Sequence, residues 1–233
     1  MRVGLLLCDH VRPGFRTVAG DYPEFFARFF AEQPAIELVT FDLTTGEFPV
    51  DLDECDAWIT TGSRHSVYED ISWIVRLVEF VLRLDRERRT LVGICFGAQM
   101  IAHALGGQVA RAPGGWQVGL KEVTIGAVQS WMNPPADTFR ILHVNGDQIL
   151  TPPDRLRVLG SSDGVPISVV AVGDHFVGFQ GHPEFVPAYS AVLMEARRGV
   201  LIPDEVVDAG LSSLSDAPDT RLLSEWIATF IAQ

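Results

Sequence analysis

The chain has 233 residues, of which 47% are hydrophobic and 21% are charged, and 18 basic against 30 acidic side chains give a net charge of −12. This length and composition are typical of a globular protein that is large enough to bury a sizeable core. The acidic balance argues against a nucleic-acid partner, because nucleic-acid binding calls for a basic face.

Predicted strands and helices alternate in the first half of the chain. Apolar runs predict buried strands at residues 2–8, 36–42, 57–61 and 90–94, and helical spacing predicts a helix at 71–88. An earlier helix is predicted to begin at Asp21 or Tyr22, with Pro23 in its first turn. Its phenylalanines recur at helical spacing and are interpreted as a core stripe: Phe25, Phe26, Phe29 and Phe30. The alternation predicts a parallel sheet covered by helices on both faces.

The pattern changes after Gly107, where a third helix is predicted to end. Short strands separated by turn residues are predicted at 108–111, 117–125, 140–144, 155–160, 167–172 and 176–180, followed by helices at 187–198 and 220–232. We therefore predict an α/β fold, doubly wound, with a mostly parallel central sheet, flanking helices and a small antiparallel extension. No repeat or linker divides the chain, so one domain is predicted over residues 1–233.

The cysteines and the apolar runs predict where the protein resides. Three cysteines, an odd number without the spacing of a disulfide framework, indicate reduced thiols in a cytoplasmic protein. No run approaches the roughly 20 apolar residues that span a bilayer, and the apolar N-terminus is too short for a signal peptide, so no membrane partner is expected. No Cys or His pair has the spacing of zinc ligands, and we expect neither a metal nor a cofactor.

Residues 91–99 predict a strand, a sharp turn at Cys95 and the start of a helix. Gly93 and Gly97 stand two residues to either side of this cysteine. This is the nucleophile-elbow arrangement, which lifts one side chain out of a sheet and places it at a helix N-terminus. The free N–H groups and the positive dipole end there favour a thiolate. The alternative is a small buried core cysteine, and the elbow alone leaves both interpretations open.

A cysteine nucleophile needs a base and a third group that orients the base. His182 follows the predicted strand 176–180, and doubly wound sheets bind ligands at such strand ends. Pro183 biases His182 toward an extended conformation, which places Glu184 on the same side, where its carboxylate could hold the imidazole. The alternative for this segment is a turn with an incidental histidine.

Other histidines and cysteines fit less well. His10 and His65 follow early strands and could line a site, and His103 suits a packing or surface position within a helix. His175 follows Gly173-Asp174 and is expected to be solvated in a hairpin turn. Cys8 and Cys55 lack a following glycine turn and helix start, so they are interpreted as structural or incidental.

Two segments resemble the signatures of the class I glutamine amidotransferases. Gly-Ile-Cys-Phe-Gly-Ala-Gln at 93–99 resembles their nucleophile motif, and Gly-His-Pro-Glu at 181–184 resembles their His-x-Glu motif. Segments at 20–23, 61–68, 115–119 and 147–148 are similar to stand-alone members related to the glutaminase domain of GMP synthase, including gamma-glutamyl peptidases. The resemblance covers nearly the whole chain and implies the flavodoxin-like fold of this family.

The resemblance implies a thiol hydrolase with a small-molecule substrate, either glutamine or a gamma-glutamyl compound. Cys95 would attack the carbon of the γ-amide. His182 would protonate the leaving amine and then activate water against the thioester. Glu184 would orient His182.

The resemblance also implies residues that assist this triad. The backbone N–H of Phe96 would be one oxyanion donor, and the second would come from Gly62 or Ser63, where backbone can approach the substrate closely. Gln99, at the last position of the nucleophile motif, would help to hold the substrate. Local hydrogen bonding in the first helical turn is the alternative for Gln99.

Three functions remain open from the sequence. Many amidotransferases pass ammonia to a synthetase, and the sequence shows neither a synthetase domain nor a Gly-rich phosphate loop, so an acceptor would be a partner protein. A gamma-glutamyl peptidase without an acceptor is the first alternative. Arg64-His65, where GMP synthase glutaminases carry a proline-bearing loop, leaves the second oxyanion donor and glutamine as substrate open. A non-catalytic binding or regulatory module on the same fold is the alternative from another class.

Overall fold

The computed structural model describes all residues from 1 to 233. Its strands are β1 (Arg2–Leu7), β2 (Glu37–Asp42), β3 (Ala57–Thr60), β4 (Thr90–Ile94), β5 (Gln108–Arg111), β6 (Gln117–Ile125), β7 (Thr138–Asn145), β8 (Asp147–Thr151), β9 (Leu156–Ser162), β10 (Val165–Val172) and β11 (Phe176–Phe179). Its helices are α1 (Arg16–Ala19), α2 (Tyr22–Phe29), α3 (Ser72–Arg86), α4 (Phe96–Ala104), α5 (Pro187–Glu195), α6 (Asp204–Ser213) and α7 (Thr220–Ile231). None of these helices combines the length and apolar character that crossing a bilayer requires.

A nine-stranded sheet in the order β2-β1-β3-β4-β11-β10-β9-β6-β7 forms the centre of the molecule. Every pairing from β2 to β11 is parallel, and every pairing from β11 to β7 is antiparallel. A separate antiparallel pair joins β5 to β8. The predicted α/β fold, with a parallel centre and an antiparallel extension, is confirmed.

Helices cover both faces of the sheet, as the strand pattern predicts. Val3, Leu5 and Leu7 of β1 pack in one hydrophobic cluster, together with α2, α5 and α7. Leu6 packs in a second cluster, with α3 and α4. Alternate residues of a strand point to opposite faces, so a strand buried on both sides reads as a continuous apolar run.

Helix α2 begins where the sequence predicts. Asp21 is its N-cap and forms a capping box with Glu24, and Pro23 lies in the first turn. The Asp21 carboxylate accepts the N–H of Tyr22, which satisfies one of the free donors at the helix start. The four phenylalanines of the predicted core stripe are all buried.

Two elements of the structure have no local signal in the sequence. Strand β8 follows β7 after the single residue Gly146. The sequence therefore indicates only one strand in this region, followed by a turn. Helix α6 buries only Val207 and Gly210, which leaves its apolar face too small to reveal a helical period.

Candidate functional site

The predicted elbow is present at the end of β4. Cys95 is the N-cap of α4 and has φ 50° and ψ −98°, a backbone conformation that residues other than glycine rarely adopt. A Cβ on Gly97 would lie 1.6 Å from Oγ1 of Thr60, and one on Gly93 would lie 2.6 Å from the Gly97 carbonyl. Glycines are therefore required at both positions, because β3, β4 and α4 meet without room for a side chain. This packing holds Cys95 in its strained turn.

His182 is fixed immediately after β11. Its backbone N–H donates to the carbonyl of Leu142 at 2.7 Å, which ties it to β7. Its ring stacks on Phe185, with centroids 3.8 Å and planes 10° apart. Gly62 approaches the ring edge, since a Cβ there would lie 2.6 Å from Cε1 of His182 and 3.6 Å from Cβ of Cys95. His182 and Cys95 therefore lie side by side, and both line one small cavity.

Glu184 pairs with the far side of the imidazole. Nδ1 of His182 lies 2.9 Å from Oε1 of Glu184, whose side chain is fully buried. Burial by itself lowers the pKa of His182, but the neighbouring Cys95 and Glu184 outweigh it and raise the pKa to about 10. Protonated His182 is thus stabilised by a sulfur on one side and a carboxylate on the other. With Nδ1 occupied, Nε2 is the nitrogen left for proton transfer.

The predicted oxyanion donors lie around Cys95. Phe96 opens α4, and the first N–H groups of a helix have no partner within the helix. Gly62 packs against Cys95 and His182, and Ser63 lines the two cavities that meet at Cys95. Their roles as donors stay predictions.

A cavity of about 740 Å³ opens beside Cys95 and Gln99. Gln99 is buried, and its amide donates to the carbonyl of Asp147 at 2.8 Å and to Oε1 of Gln180 at 3.3 Å. The alternative of local hydrogen bonding in the first helical turn is wrong for this side chain, because its partners are distant in the sequence and its amide holds β8 in place. Gln99 also lines the cavity. Its contact with substrate stays a prediction.

Asp147 is a cavity residue for which the sequence predicts no role. Its side chain is 9% exposed, and Oδ2 accepts hydrogen bonds from Ser66 at 2.5 Å and Tyr68 at 3.2 Å. Oδ1 has no hydrogen-bond donor, although the exposed Arg111 lies 3.2 Å away. A largely buried carboxylate whose second oxygen is paired only with an exposed arginine suits a cationic ligand group. The sequence marks residues 147–148 only by their resemblance to the family, because Asp147 begins β8, a strand without a local signal of its own.

A smaller cavity of about 50 Å³ lies on the His182 side of Cys95. Arg12 and Arg197 line this cavity as well as the larger one. No sequence pattern marks these arginines, because they come from irregular segments far apart in the chain.

Two expectations for histidines have different outcomes. His10 and His65 do line the cavities beside Cys95, as expected. The expectation of a solvated His175 is wrong: its side chain is 3% exposed, and Nε2 lies 2.9 Å from Oδ1 of Asp85. The predicted turn at Gly173 exists, but α3 covers it and supplies the carboxylate.

His143, on β7, is a buried neighbour of the site. Its Nδ1 lies 3.2 Å from Oδ1 of Asn145. Burial, with repulsion from Lys121 and His182, lowers the pKa of His143 to about 3. His143 is therefore neutral where His182 is protonated.

Comparisons of the sequence with known proteins find relatives that align with most of the chain. Residues 42–195 match the family model described as "Glutamine amidotransferase class-I". Gamma-glutamyl peptidase 3 of Arabidopsis thaliana is 31% identical over 221 residues, covering 89% of this chain and 86% of that protein. A glutamine-hydrolyzing GMP synthase subunit of Sulfurisphaera tokodaii is 29% identical, covering 61% of this chain and 74% of that protein.

Solved structures agree on the fold. A glutamine amidotransferase from Thermotoga maritima superposes with a TM-score of 0.77, covering 100% of this chain and 99% of that chain, at 19% identity.

Proposed function

Because the chain belongs to the class I glutamine amidotransferase family, we propose that it cleaves the γ-amide bond of glutamine or of a γ-glutamyl compound through a thioester on Cys95. The observation that carries this proposal is the placement of Cys95 beside His182, with Glu184 behind it, at the meeting point of two cavities. Packing alone does not explain why these three positions carry a cysteine, a histidine and a glutamate.

The reaction follows from this arrangement in two halves. The thiolate of Cys95 attacks the γ-carbonyl carbon, and the carbon–nitrogen bond breaks as Nε2 of His182 gives its proton to the leaving nitrogen. Neutral His182 then takes a proton from water, whose oxygen attacks the thioester and expels the Cys95 sulfur. The products are glutamate and ammonia or an amine. The raised pKa of His182 supports the first half, because the group enters the reaction as an acid.

The oxyanion formed in each half needs donors close to Cys95. We assign one to the backbone N–H of Phe96 at the start of α4, and the other to the N–H of Gly62 or Ser63. Losing one such donor typically costs about 3 kcal/mol of transition-state stabilisation.

The γ-glutamyl half of the substrate fits the large cavity. We assign Oδ1 of Asp147, which accepts no hydrogen bond and pairs only with the exposed Arg111, to the α-ammonium group, since a buried carboxylate oxygen gains most from a cationic partner. Gln99 keeps Asp147 at this position through its hydrogen bond to the Asp147 carbonyl.

Among the leaving groups, an amine other than ammonia has the stronger support. The relatives named gamma-glutamyl peptidases 2 and 3 align with 93% and 89% of this chain. The GMP synthase relative aligns with 61% of it, and a synthetase partner that receives ammonia is the second candidate. A binding module without activity is the alternative from another class.

The test is release of free glutamate from glutamine and from γ-glutamyl dipeptides, with wild type and Cys95→Ala. We expect turnover of dipeptides that Cys95→Ala abolishes, and a weaker reaction with the glutaryl analogue, which lacks the ammonium group. Activity that survives in Cys95→Ala would refute the thioester, and strong glutaminase activity without a partner would favour the amidotransferase. The absence of any reaction would favour the binding module.

A further inference from the structure

Two arginines beside Cys95 have no carboxylate partner. Arg64, which lines the same cavities, is neutralised by Asp9 through hydrogen bonds of 2.8 and 3.0 Å from Nε and an ion pair at 2.7 Å. Arg12 and Arg197 form no ion pair, and the side chain of Arg197 donates to the Leu193 carbonyl at 2.8 Å. Two positive charges therefore remain uncompensated in the walls of the site, although the chain as a whole carries a net charge of −12.

Arg197 lies in a position that destabilises its positive charge. The residue is half-buried, its guanidinium lies over the ring of Trp116 at 5.7 Å, and Arg12 is close enough to repel it. Burial lowers the pKa of Arg197, and the repulsion from Arg12 lowers it further. A pair of cations held together without counter-charge is the arrangement that an anionic ligand stabilises.

The side of the site on which these arginines lie identifies the part of the substrate they face. The acyl half extends toward Gln99 and Asp147, which line only the large cavity. The leaving nitrogen must lie next to His182, which lines only the small one. Arg12 and Arg197 line both cavities, so they lie where the small cavity opens into the large one, within reach of a group attached to the leaving nitrogen.

Resting on the proposed function, we propose that Arg12 and Arg197 bind a carboxylate carried by the leaving amine. The substrate class is then a γ-glutamyl amino acid or peptide with a free carboxylate beyond the scissile bond. Glutamine lacks this group, because its leaving nitrogen departs as ammonia. The wall of the small cavity beside the arginines is aromatic and aliphatic and is formed by Phe15, Phe185 and Leu193. Arg12 and Arg197 are therefore the cations on this side of the site that no acid neutralises.

The test compares γ-glutamylalanine with γ-glutamylalaninamide, which differ only in the terminal carboxylate. Wild type is expected to show a kcat/KM higher for the acid by about tenfold to a hundredfold, the range expected for charge-assisted hydrogen bonds. Arg12→Gln should lower the acid's kcat/KM by about tenfold and leave the amide unchanged, because the exposed Arg12 side chain has no other partner. Arg221→Gln, on the distant surface of α7, is the charge-matched control and should alter neither substrate.

Arg197→Gln should also lower kcat/KM for the acid and leave the amide unchanged. The amide serves as a control for structural damage at the end of α5, since such damage would lower kcat/KM for both substrates. Equal rates for acid and amide in wild type would overturn the inference. So would an Arg12→Gln variant that loses both substrates equally, since the arginines would then bind the α-carboxylate of the glutamyl half. If wild type cleaves glutamine but neither of these compounds, this inference alone fails. If it cleaves none of the three, the proposed function fails as well.

Discussion

Gly62 and His182 pack so closely that a methyl group on Gly62 would lie 2.6 Å from Cε1 of the imidazole. The loop after β3 therefore determines where the imidazole sits relative to Cys95. Phe185 supports the ring by stacking, and Glu184 supports it at Nδ1. The imidazole is held by a loop, an aromatic face and a carboxylate from different parts of the chain.

The first prediction concerns this loop. Gly62→Ala retains the backbone N–H but displaces His182, so kcat should fall by about a hundredfold, as displacements near 1 Å do in active sites. Steady-state kinetics measures the loss, and circular dichroism checks that the fold is retained. Gly126→Ala is the matched control, since the nearest atom to its added Cβ would be 3.8 Å away. Wild-type kcat in Gly62→Ala would show that this contact does not position the imidazole.

The second prediction concerns pH. Burial lowers the pKa of His182, but Cys95 and Glu184 raise it to about 10, so the imidazolium persists through neutral pH. The alkaline limb of kcat/KM should therefore lie well above pH 6.5 in wild type. Glu184→Gln removes a negative charge that favours the protonated ring, and the limb should shift to lower pH.

The control for this shift is Glu225→Gln, an acid-to-amide change on α7. Its profile should match wild type. An alkaline limb that does not move in Glu184→Gln would mean that the carboxylate does not control protonation of His182.

The parallel half of the fold could be predicted from the sequence because its signals are local. Continuous apolar runs specify β1, β3 and β4, and the capping residues specify the start of α2. Strand β8 could not be predicted, because its pairing with β5 joins residues that are distant in the chain. Helix α6 buries too little to leave a periodic pattern.

The residues of the candidate site also divide into those with a local sequence signal and those without one. Cys95, His182 and Glu184 follow from local patterns at two strand ends. Asp147 is brought to the cavity by β8, and Arg12 and Arg197 meet only after folding, so no sequence spacing connects them. For His175 the local pattern predicts the turn correctly, but it does not reveal that α3 packs over this turn and buries the side chain.

The third prediction concerns this buried contact between His175 and Asp85. Burial raises the pKa of Asp85, but hydrogen bonds from Arg155 and His175 outweigh it and lower the pKa below its ordinary value. The stabilisation is therefore present above that ordinary value and is lost as pH falls through the folded-state pKa. Asp85→Asn should reduce the free energy of unfolding by about 1–3 kcal/mol at pH 7.

Urea unfolding at pH 7 and at pH 3 checks this prediction. The difference between Asp85→Asn and wild type should shrink at the lower pH. The value of kcat should be unchanged, because His175 directly precedes β11 and so lies at the opposite end of the parallel strands from Cys95, which directly follows β4. Asp174→Asn is the control, since its side chain is 73% exposed and exposed pairs contribute little. Equal stability of Asp85→Asn and wild type at pH 7 would contradict the prediction.

The central claim is that Cys95 is the nucleophile, and covalent labelling tests it most directly. All three cysteines are buried and free, and burial raises the pKa of Cys8 and Cys55. A glutamine-like electrophile, followed by peptide mass mapping, should therefore add one label at Cys95 and none at Cys8 or Cys55. Glu184→Gln should slow the labelling, and an excess of γ-glutamyl dipeptide should protect against it. Label at Cys8 or Cys55 with Cys95 unmodified would contradict the account.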